Sequence, residues 1–373
     1  LRGVINYLEN IVQQENPPTP GQRVILFVLH LLSMVYTGAV RVRNFFYCRE
    51  LLPRYSLPVP VISIGNISAG GTGKTPAVIF LARLLARKGR KVAVLSRGYK
   101  GRKGRKSQSP VIVSAGTSPR QAGDEPALLA RRLPAVPVLV GKNRYQSGML
   151  GLKKFGPEVF ILDDGFQHLV LRRNLDLVLI DTARPFFQPL LPRGYLREPP
   201  DGLQRAGGVI LTRVDQAVPE EVKKLHRYLQ KRFPGKKVFH ARYHSPGLQE
   251  WRFWRRFPAE AKVLDAKGKK AGVFAGVAFP ASVCRTLEQM GVTVTGCLFL
   301  PDHEPVTREE LITFSKQCKE KGAHFLATTE KDAVKLSFSP PEILPLYVLP
   351  VDLILDEGEE EFYKWLQKKV GGV

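Results

Sequence analysis

From Val59 onward, short apolar runs alternate with stretches of helical spacing. The runs Val59–Ile64, Lys91–Leu95, Val111–Val113, Val136–Val140, Val159–Asp163, Leu177–Asp181 and Val209–Thr212 are brief and rich in β-branched residues. Runs of that length and composition predict buried parallel strands. Ala77–Lys88, Ala127–Leu133, Arg144–Phe155 and Glu220–Phe233 read as helices among them. The alternation predicts an α/β fold with a doubly wound, mainly parallel sheet. Ligands of such a sheet bind beyond the carboxyl ends of its strands.

A second set of elements follows. Strands are predicted at Val238–Tyr243, Lys270–Val277, Gly296–Leu300, Phe325–Thr328 and Leu346–Val351, and helices at Pro280–Met290, Thr307–Lys321 and Glu359–Val370. Placing the break near Val214–Val218 gives a larger α/β domain at 51–216 and a smaller α/β domain at 217–373. The basic stretch Trp251–Lys269 is expected to form a hairpin. Upstream, Val24–Val40 carries no charge and is flanked by Arg23, Arg41 and Arg43. It predicts a membrane-associated helix within residues 1–50, spanning or interfacial, with a buried core helix as the alternative.

Composition adds one constraint. At 373 residues, 44% hydrophobic and 24% charged, the chain can bury a large core. Lys+Arg at 57 against Asp+Glu at 33 leaves a net charge of +24, which favours an anionic partner: nucleic acid, acidic membrane or phosphorylated substrate. Lys100–Lys106 concentrates part of that charge in one loop. Cys48, Cys284, Cys297 and Cys318 are scattered without a C-x-x-C pair, so neither a zinc site nor a disulfide framework is expected. Free thiols suit a reducing compartment.

The first predicted strand runs into Gly65-Asn66-Ile67-Ser68-Ala69-Gly70-Gly71-Thr72-Gly73-Lys74-Thr75-Pro76, and a helix opens on Lys-Thr. This is a P-loop NTPase-type phosphate cradle. Glycines let backbone N–H groups turn inward on a polyphosphate, and the helix N-terminus adds partial positive charge. Gly70, Gly71, Thr72, Gly73, Lys74 and Thr75 are the expected nucleotide-binding residues, Lys74 reaching the β- and γ-phosphates and the Thr75 hydroxyl holding Mg²⁺. Ser68 stands where the common pattern has glycine, and Gly70 and Gly71 are expected to supply the flexibility instead.

Acidic residues cluster at predicted strand ends. Asp163-Asp164-Gly165-Phe166-Gln167-His168 closes one strand, and two adjacent acids there are costly unless a cation is bound. Gly123-Asp124-Glu125-Pro126 opens a helix, where Asp124 reads equally as an N-cap or as a chemical group. Pro192–Pro200 frames Arg197 and Glu198, which fit a rigid surface loop or a phosphate and metal shell. His303 lies before an apparent capping box at Thr307–Glu310, and Thr329–Asp332 repeats that capping geometry. Thr212-Arg213-Val214-Asp215 weakly resembles a Thr-Lys-x-Asp base-holding element, with Arg213 in the lysine position.

Together these segments resemble the tetraacyldisaccharide 4′-kinases of lipid A biosynthesis. The likeness rests on Gly65-Asn66 through Thr75-Pro76, Ser96-Arg97-Gly98-Tyr99, Gly123-Asp124-Glu125-Pro126, Asp163–His168 and Leu196-Arg197-Glu198-Pro199, in that order. His303 is single where relatives often carry two adjacent histidines. The resemblance implies transfer of the γ-phosphate of ATP, with Mg²⁺, to the 4′-hydroxyl of a tetraacylated glucosamine disaccharide 1-phosphate. It implies work at the cytoplasmic face of the bacterial inner membrane, without nucleic acid or an obligate protein partner. By the same resemblance, Asp124 is the base with His303 as its partner, alongside Lys74 and Asp164 in catalysis. Thr75, Asp163, Asp164, Glu198 and Gln167 form the metal set, and Arg97, Arg144 and Arg197 hold the anionic disaccharide head. Two rival readings are a membrane-associated P-loop ATPase switch and a basic nucleic-acid-binding protein.

Overall fold

The computed structural model describes residues 19–98, 109–256, 263–277, 280–301 and 304–371. The basic loop at 100–106 and His303 lie outside the described residues.

The chain opens on helix α1 (Pro20–Cys48), started by a Thr19–Gln22 capping box. Next come β1 (Val61–Asn66), α2 (Lys74–Arg87), β2 (Val92–Ser96), β3 (Val111–Val113), α3 (Pro119–Ala122), α4 (Asp124–Arg132), β4 (Val138–Val140), α5 (Arg144–Phe155), β5 (Val159–Asp163), β6 (Leu175–Asp181), β7 (Gly208–Thr212), α6 (Pro219–Arg232) and β8 (Lys237–His244). There follow β9 (Leu248–Glu250), α7 (Trp251–Arg256), β10 (Val263–Leu264), β11 (Lys270–Ala275), α8 (Pro280–Gln289), β12 (Thr293–Phe299), α9 (Arg308–Glu320), β13 (Phe325–Thr329), α10 (Glu330–Ala333), β14 (Leu346–Leu349), β15 (Asp352–Leu355) and α11 (Glu359–Val370).

Among the described residues these strands form two sheets. The larger has nine strands in the order β15-β8-β7-β6-β1-β5-β2-β4-β3. Its interior pairs are parallel, and β1, β2, β4, β5, β6 and β7 are buried along their whole length. Helices cover both faces, which is why these strands read as continuous apolar runs. β3 departs from the parallel expectation: it is a half-buried edge strand running antiparallel to β4. An apolar run specifies burial, not the direction of its partner.

The expected division at 216/217 does not separate the sheets. α6, β8, β15 and α11 all belong to the larger one, where Phe239 of β8 packs edge-on against Phe362 of α11. β15 runs antiparallel to β8, pairing Asp352 with His244 and Leu355 with Ala241. The smaller domain is therefore an insertion between β8 and β15. Its six-stranded sheet has the order β10-β9-β14-β13-β11-β12. The hairpin expected in Trp251–Lys269 is present only in part: β9 and β10 pair antiparallel, but α7 stands between them and buries Trp254 completely.

α1 is not a core helix. Val24, Phe27, Val28, Leu31, Leu32, Met34 and Val35 are all exposed, and only Leu29, Ser33 and Val40 are buried. By length and composition it could cross a membrane.

The two domains meet at the end of α4. Buried Arg132 donates to Glu330 of α10 at 2.5 Å and pairs with Asp352 of β15, while Trp254 Nε1 donates to the other Glu330 oxygen at 3.1 Å. Removing one member of a buried pair strands the remaining charge. Arg132→Ala should therefore lower unfolding stability by about 3–5 kcal/mol, read as a shift in denaturant midpoint.

Candidate active site

The phosphate cradle joins β1 to α2. Asn66, the last residue of β1, ties the loop from inside, its Nδ2 donating to Thr72 Oγ1 at 2.7 Å. Ser68 is bridged to Leu196 in extended pairing, so its position does not need glycine. Gly70 and Gly73 take left-handed φ values of 94° and 82°. A Cβ on Gly73 would sit 1.3 Å from the Tyr243 hydroxyl, which donates to the Thr72 carbonyl at 3.2 Å. Arg213 also takes a left-handed φ, of 60°. It pairs with Asp181 through both carboxylate oxygens and reaches the Gly71 carbonyl at 3.5 Å. The residue in the base-holding lysine position thus braces the cradle.

Lys74 is the first residue of α2, and its Nζ lies 3.6 Å from Asp164 Oδ1. Asp164 follows β5 at φ 49°, a conformation a non-glycine residue holds only under constraint. Arg197 supplies that constraint, with Nη1 at 3.1 Å from both Asp164 oxygens. Burial disfavours the Asp164 charge, but Lys74 and Arg197 outweigh it and hold the carboxyl below its usual range.

Asp163 behaves oppositely. Burial, then the charges of Glu125 and Asp164, push it up to about 7, although Ser96 Oγ donates to it at 2.8 Å. Glu125 is thereby placed beside this acidic end. The Gly-Asp-Glu-Pro segment held that signal, but the chemical reading stopped at Asp124. Asp124 itself is the first residue inside α4; Gly123 occupies the cap position and no side chain caps the helix. The capping reading of Asp124 is therefore corrected: Gly123 turns the chain one residue earlier.

Arg97 and Arg144 approach the same end. Arg144 is 4% exposed, and Nη1 donates to the Lys142 carbonyl at 3.1 Å while Nε has no partner among the described residues. Burial, then repulsion from Arg97, lowers Arg144 to about 10 against the pull of Asp163 and Asp164. His168 is pushed down to about 3 by burial and by Arg144, Arg173 and Arg97. A neutral imidazole beside these guanidinium groups leaves their positive charge for an anion.

Glu198 and Gln167 do not fit direct metal ligation. Glu198 is fully buried, and its oxygens accept from Gln167 Nε2 at 2.6 Å, Arg205 Nη2 at 3.0 Å and Asn44 Nδ2 at 3.3 Å. Gln167 directs its amide nitrogen at Glu198 and at the Asn66 carbonyl, 2.8 Å away. Protein donors fill the carboxylate, so the pair braces the loop. Asp163 and Asp164 do fit a cation, because a buried acid raised by acidic neighbours is relieved by positive charge. No cluster of three His, Cys, Asp or Glu able to hold a metal occurs among the described residues.

The profile of the tetraacyldisaccharide-1-P 4′-kinase family (LpxK) matches residues 25–371. The chain belongs to this family. A tetraacyldisaccharide 4′-kinase of Anaeromyxobacter dehalogenans is 40% identical over 331 residues, 88% of this chain and 86% of the relative. One from Halothermothrix orenii is 35% identical over 367 residues, 94% of each chain. A crystal structure of LpxK from Aquifex aeolicus in complex with ATP superposes with a TM-score of 0.72 at 33% identity, covering 93% of this chain and 99% of that one. Membership makes the chain an ATP-dependent kinase of lipid A biosynthesis with a phosphate-loop fold.

Two outcomes test the geometry. Gly73→Ala adds backbone strain of about 1–3 kcal/mol and drives a methyl into Tyr243, so calorimetry should show ATP binding weakened roughly 5- to 150-fold. His168 is depressed in the folded state, so the unfolded state binds more protons between the two pKa values. Its contribution is complete above about 6.5 and is lost as pH falls toward about 3. His168→Gln should flatten the fall in denaturant midpoint across that window.

Proposed function

We propose that the residues gathered at the carboxyl ends of β1, β2 and β5 transfer the γ-phosphate of ATP to the 4′-hydroxyl of a tetraacylated disaccharide 1-phosphate. The observation that carries this reading is the charge arrangement: Lys74 at 3.6 Å from Asp164, and Asp164 clasped by Arg197. Lys74 and the cradle amides hold the β- and γ-phosphates. Thr75 and the Asp163–Asp164 pair would hold Mg²⁺, which would neutralise part of the triphosphate charge. Asp124 accepts the hydroxyl proton as the sugar oxygen bonds to phosphorus and the bond from phosphorus to the ADP oxygen breaks. His303 is assigned as its partner by family resemblance. A free carboxylate is a weak base, and a neighbouring imidazole orients and tunes it. Arg97 and Arg144 hold the anionic sugar head. Phosphoryl transfer depends mainly on placement and charge neutralisation.

The acceptor is a lipid, and α1 offers an exposed apolar face to meet it. We place the enzyme at the cytoplasmic face of the bacterial inner membrane, where ATP and acidic headgroups are both present. The excess positive charge of the chain favours that surface.

Purified protein incubated with γ-labelled ATP, Mg²⁺ and the disaccharide lipid in detergent should place label in the lipid. Released free phosphate with unlabelled lipid would favour the ATPase-switch reading. Lys74→Ala and Asp124→Ala should each reduce turnover by about 100-fold or more, since each removes a transition-state interaction. Chelation with EDTA should abolish transfer, and added Mg²⁺ should restore it. Near-normal turnover of Asp124→Ala would remove it from the role of base.

A further inference from the structure

The inner face of α1 carries a polar stripe that lipid contact does not explain. Ser33, Tyr36, Val40 and Asn44 recur at helical spacing and face the protein. Ser33 Oγ donates to the Leu190 carbonyl at 2.8 Å, and Tyr36 Oη donates to the Arg197 carbonyl at 2.9 Å. Asn44 Nδ2 donates to Glu198 Oε2 at 3.3 Å. All three acceptors belong to the segment 190–198, distant in sequence.

That segment also pairs with the phosphate cradle on its other side. Arg197 N donates to the Ile67 carbonyl at 2.7 Å, and Ala69 N donates to the Tyr195 carbonyl at 2.6 Å. Ile67, Leu190 and Leu196 share one apolar cluster, against which Tyr36 packs. The Arg197 side chain reaches Asp164, which faces Lys74. A continuous path of hydrogen bonds and packed side chains thus runs from α1, through the 190–198 segment, to the cradle and its lysine.

We propose that Asn44 and Tyr36 are positioning residues for the nucleotide site, fixing the 190–198 segment against the phosphate cradle. α1 is then a structural wall of the ATP site as well as a lipid-facing element. Asn44 shares Glu198 Oε2 with Arg205, so its loss leaves that buried oxygen one donor short, and loss of the Tyr36 hydroxyl frees the neighbouring Arg197 carbonyl. Displacement of Glu198 carries Arg197 with it and loosens the grip on Asp164. This inference rests on the nucleotide reading of the cradle and needs no lipid acceptor.

The test measures ATP·Mg²⁺ binding by calorimetry on the full chain in detergent, with vesicle co-sedimentation as a separate readout. Asn44→Ala should weaken ATP binding roughly 10- to 150-fold, the scale expected for a lost hydrogen bond to a charged group, and leave sedimentation with anionic phosphatidylglycerol vesicles unchanged. Leu31→Ser with Val35→Ser, on the outer face, should do the reverse. Tyr36→Phe removes only a hydroxyl; it should shift ATP affinity in the same direction by about 2- to 5-fold and serves if Asn44→Ala fails to fold. Asn44→Ala combined with Glu198→Gln should be non-additive in ATP affinity, whereas an Asn44 that acts on the site by a route other than Glu198 predicts independent losses. ATP affinity within twofold of wild type in both Asn44→Ala and Tyr36→Phe overturns the proposal, as does additivity. A protein that binds ATP normally but labels no lipid sinks the acceptor assignment alone.

Discussion

Two adjacent carboxylates at the end of a buried strand set the terms for everything around them. Asp163 is buried and Asp164 only partly exposed beside it, and Glu125 adds a third negative charge acting on Asp163. The fold answers by dividing their roles. Asp164 turns into a left-handed conformation and takes Lys74 and Arg197, whereas Asp163 keeps a hydroxyl donor and is left short of positive charge. Asp163 is therefore the carboxylate that nearby positive charge would relieve most. Arg97 and Arg144 provide a separate excess of positive charge beside it. Negative and positive charge are thus gathered side by side at the carboxyl end of β5.

Much of this could be read from the sequence, for identifiable reasons. Strands buried on both faces leave continuous apolar runs, so β1, β5 and β7 were visible as such, and a glycine cradle between a strand and a helix is a local signal. Partner choice is not local. Lys237–His244 reads like any strand, and nothing within it says that it joins the larger sheet, nor that Asp352–Leu355 returns to cover its edge. The direction of β3 was hidden for the same reason.

Site chemistry failed where it depended on what surrounds a residue. Glu198 resembles a metal ligand until Gln167, Arg205 and Asn44 are seen to occupy its oxygens. Glu125 acts on Asp163 from a segment about forty residues earlier, a pairing that neither local sequence contains. The inner stripe of α1 was masked by apolar residues between its members: Ser33 and Tyr36 look incidental in a run such as Val24–Val40 until their distant carbonyl partners are known.

The insertion of the smaller domain between two neighbouring strands bears on how the chain assembles. Because His244 and Asp352 are paired residues, the two ends of that domain emerge side by side. Bringing distant ends together costs more entropy the longer the intervening chain. A domain that has already condensed with its ends adjacent removes most of that cost, so the final edge strand and α11 can dock as though their loop were short. The closing of the larger sheet's rim is thus tied to the compactness of the inserted lobe.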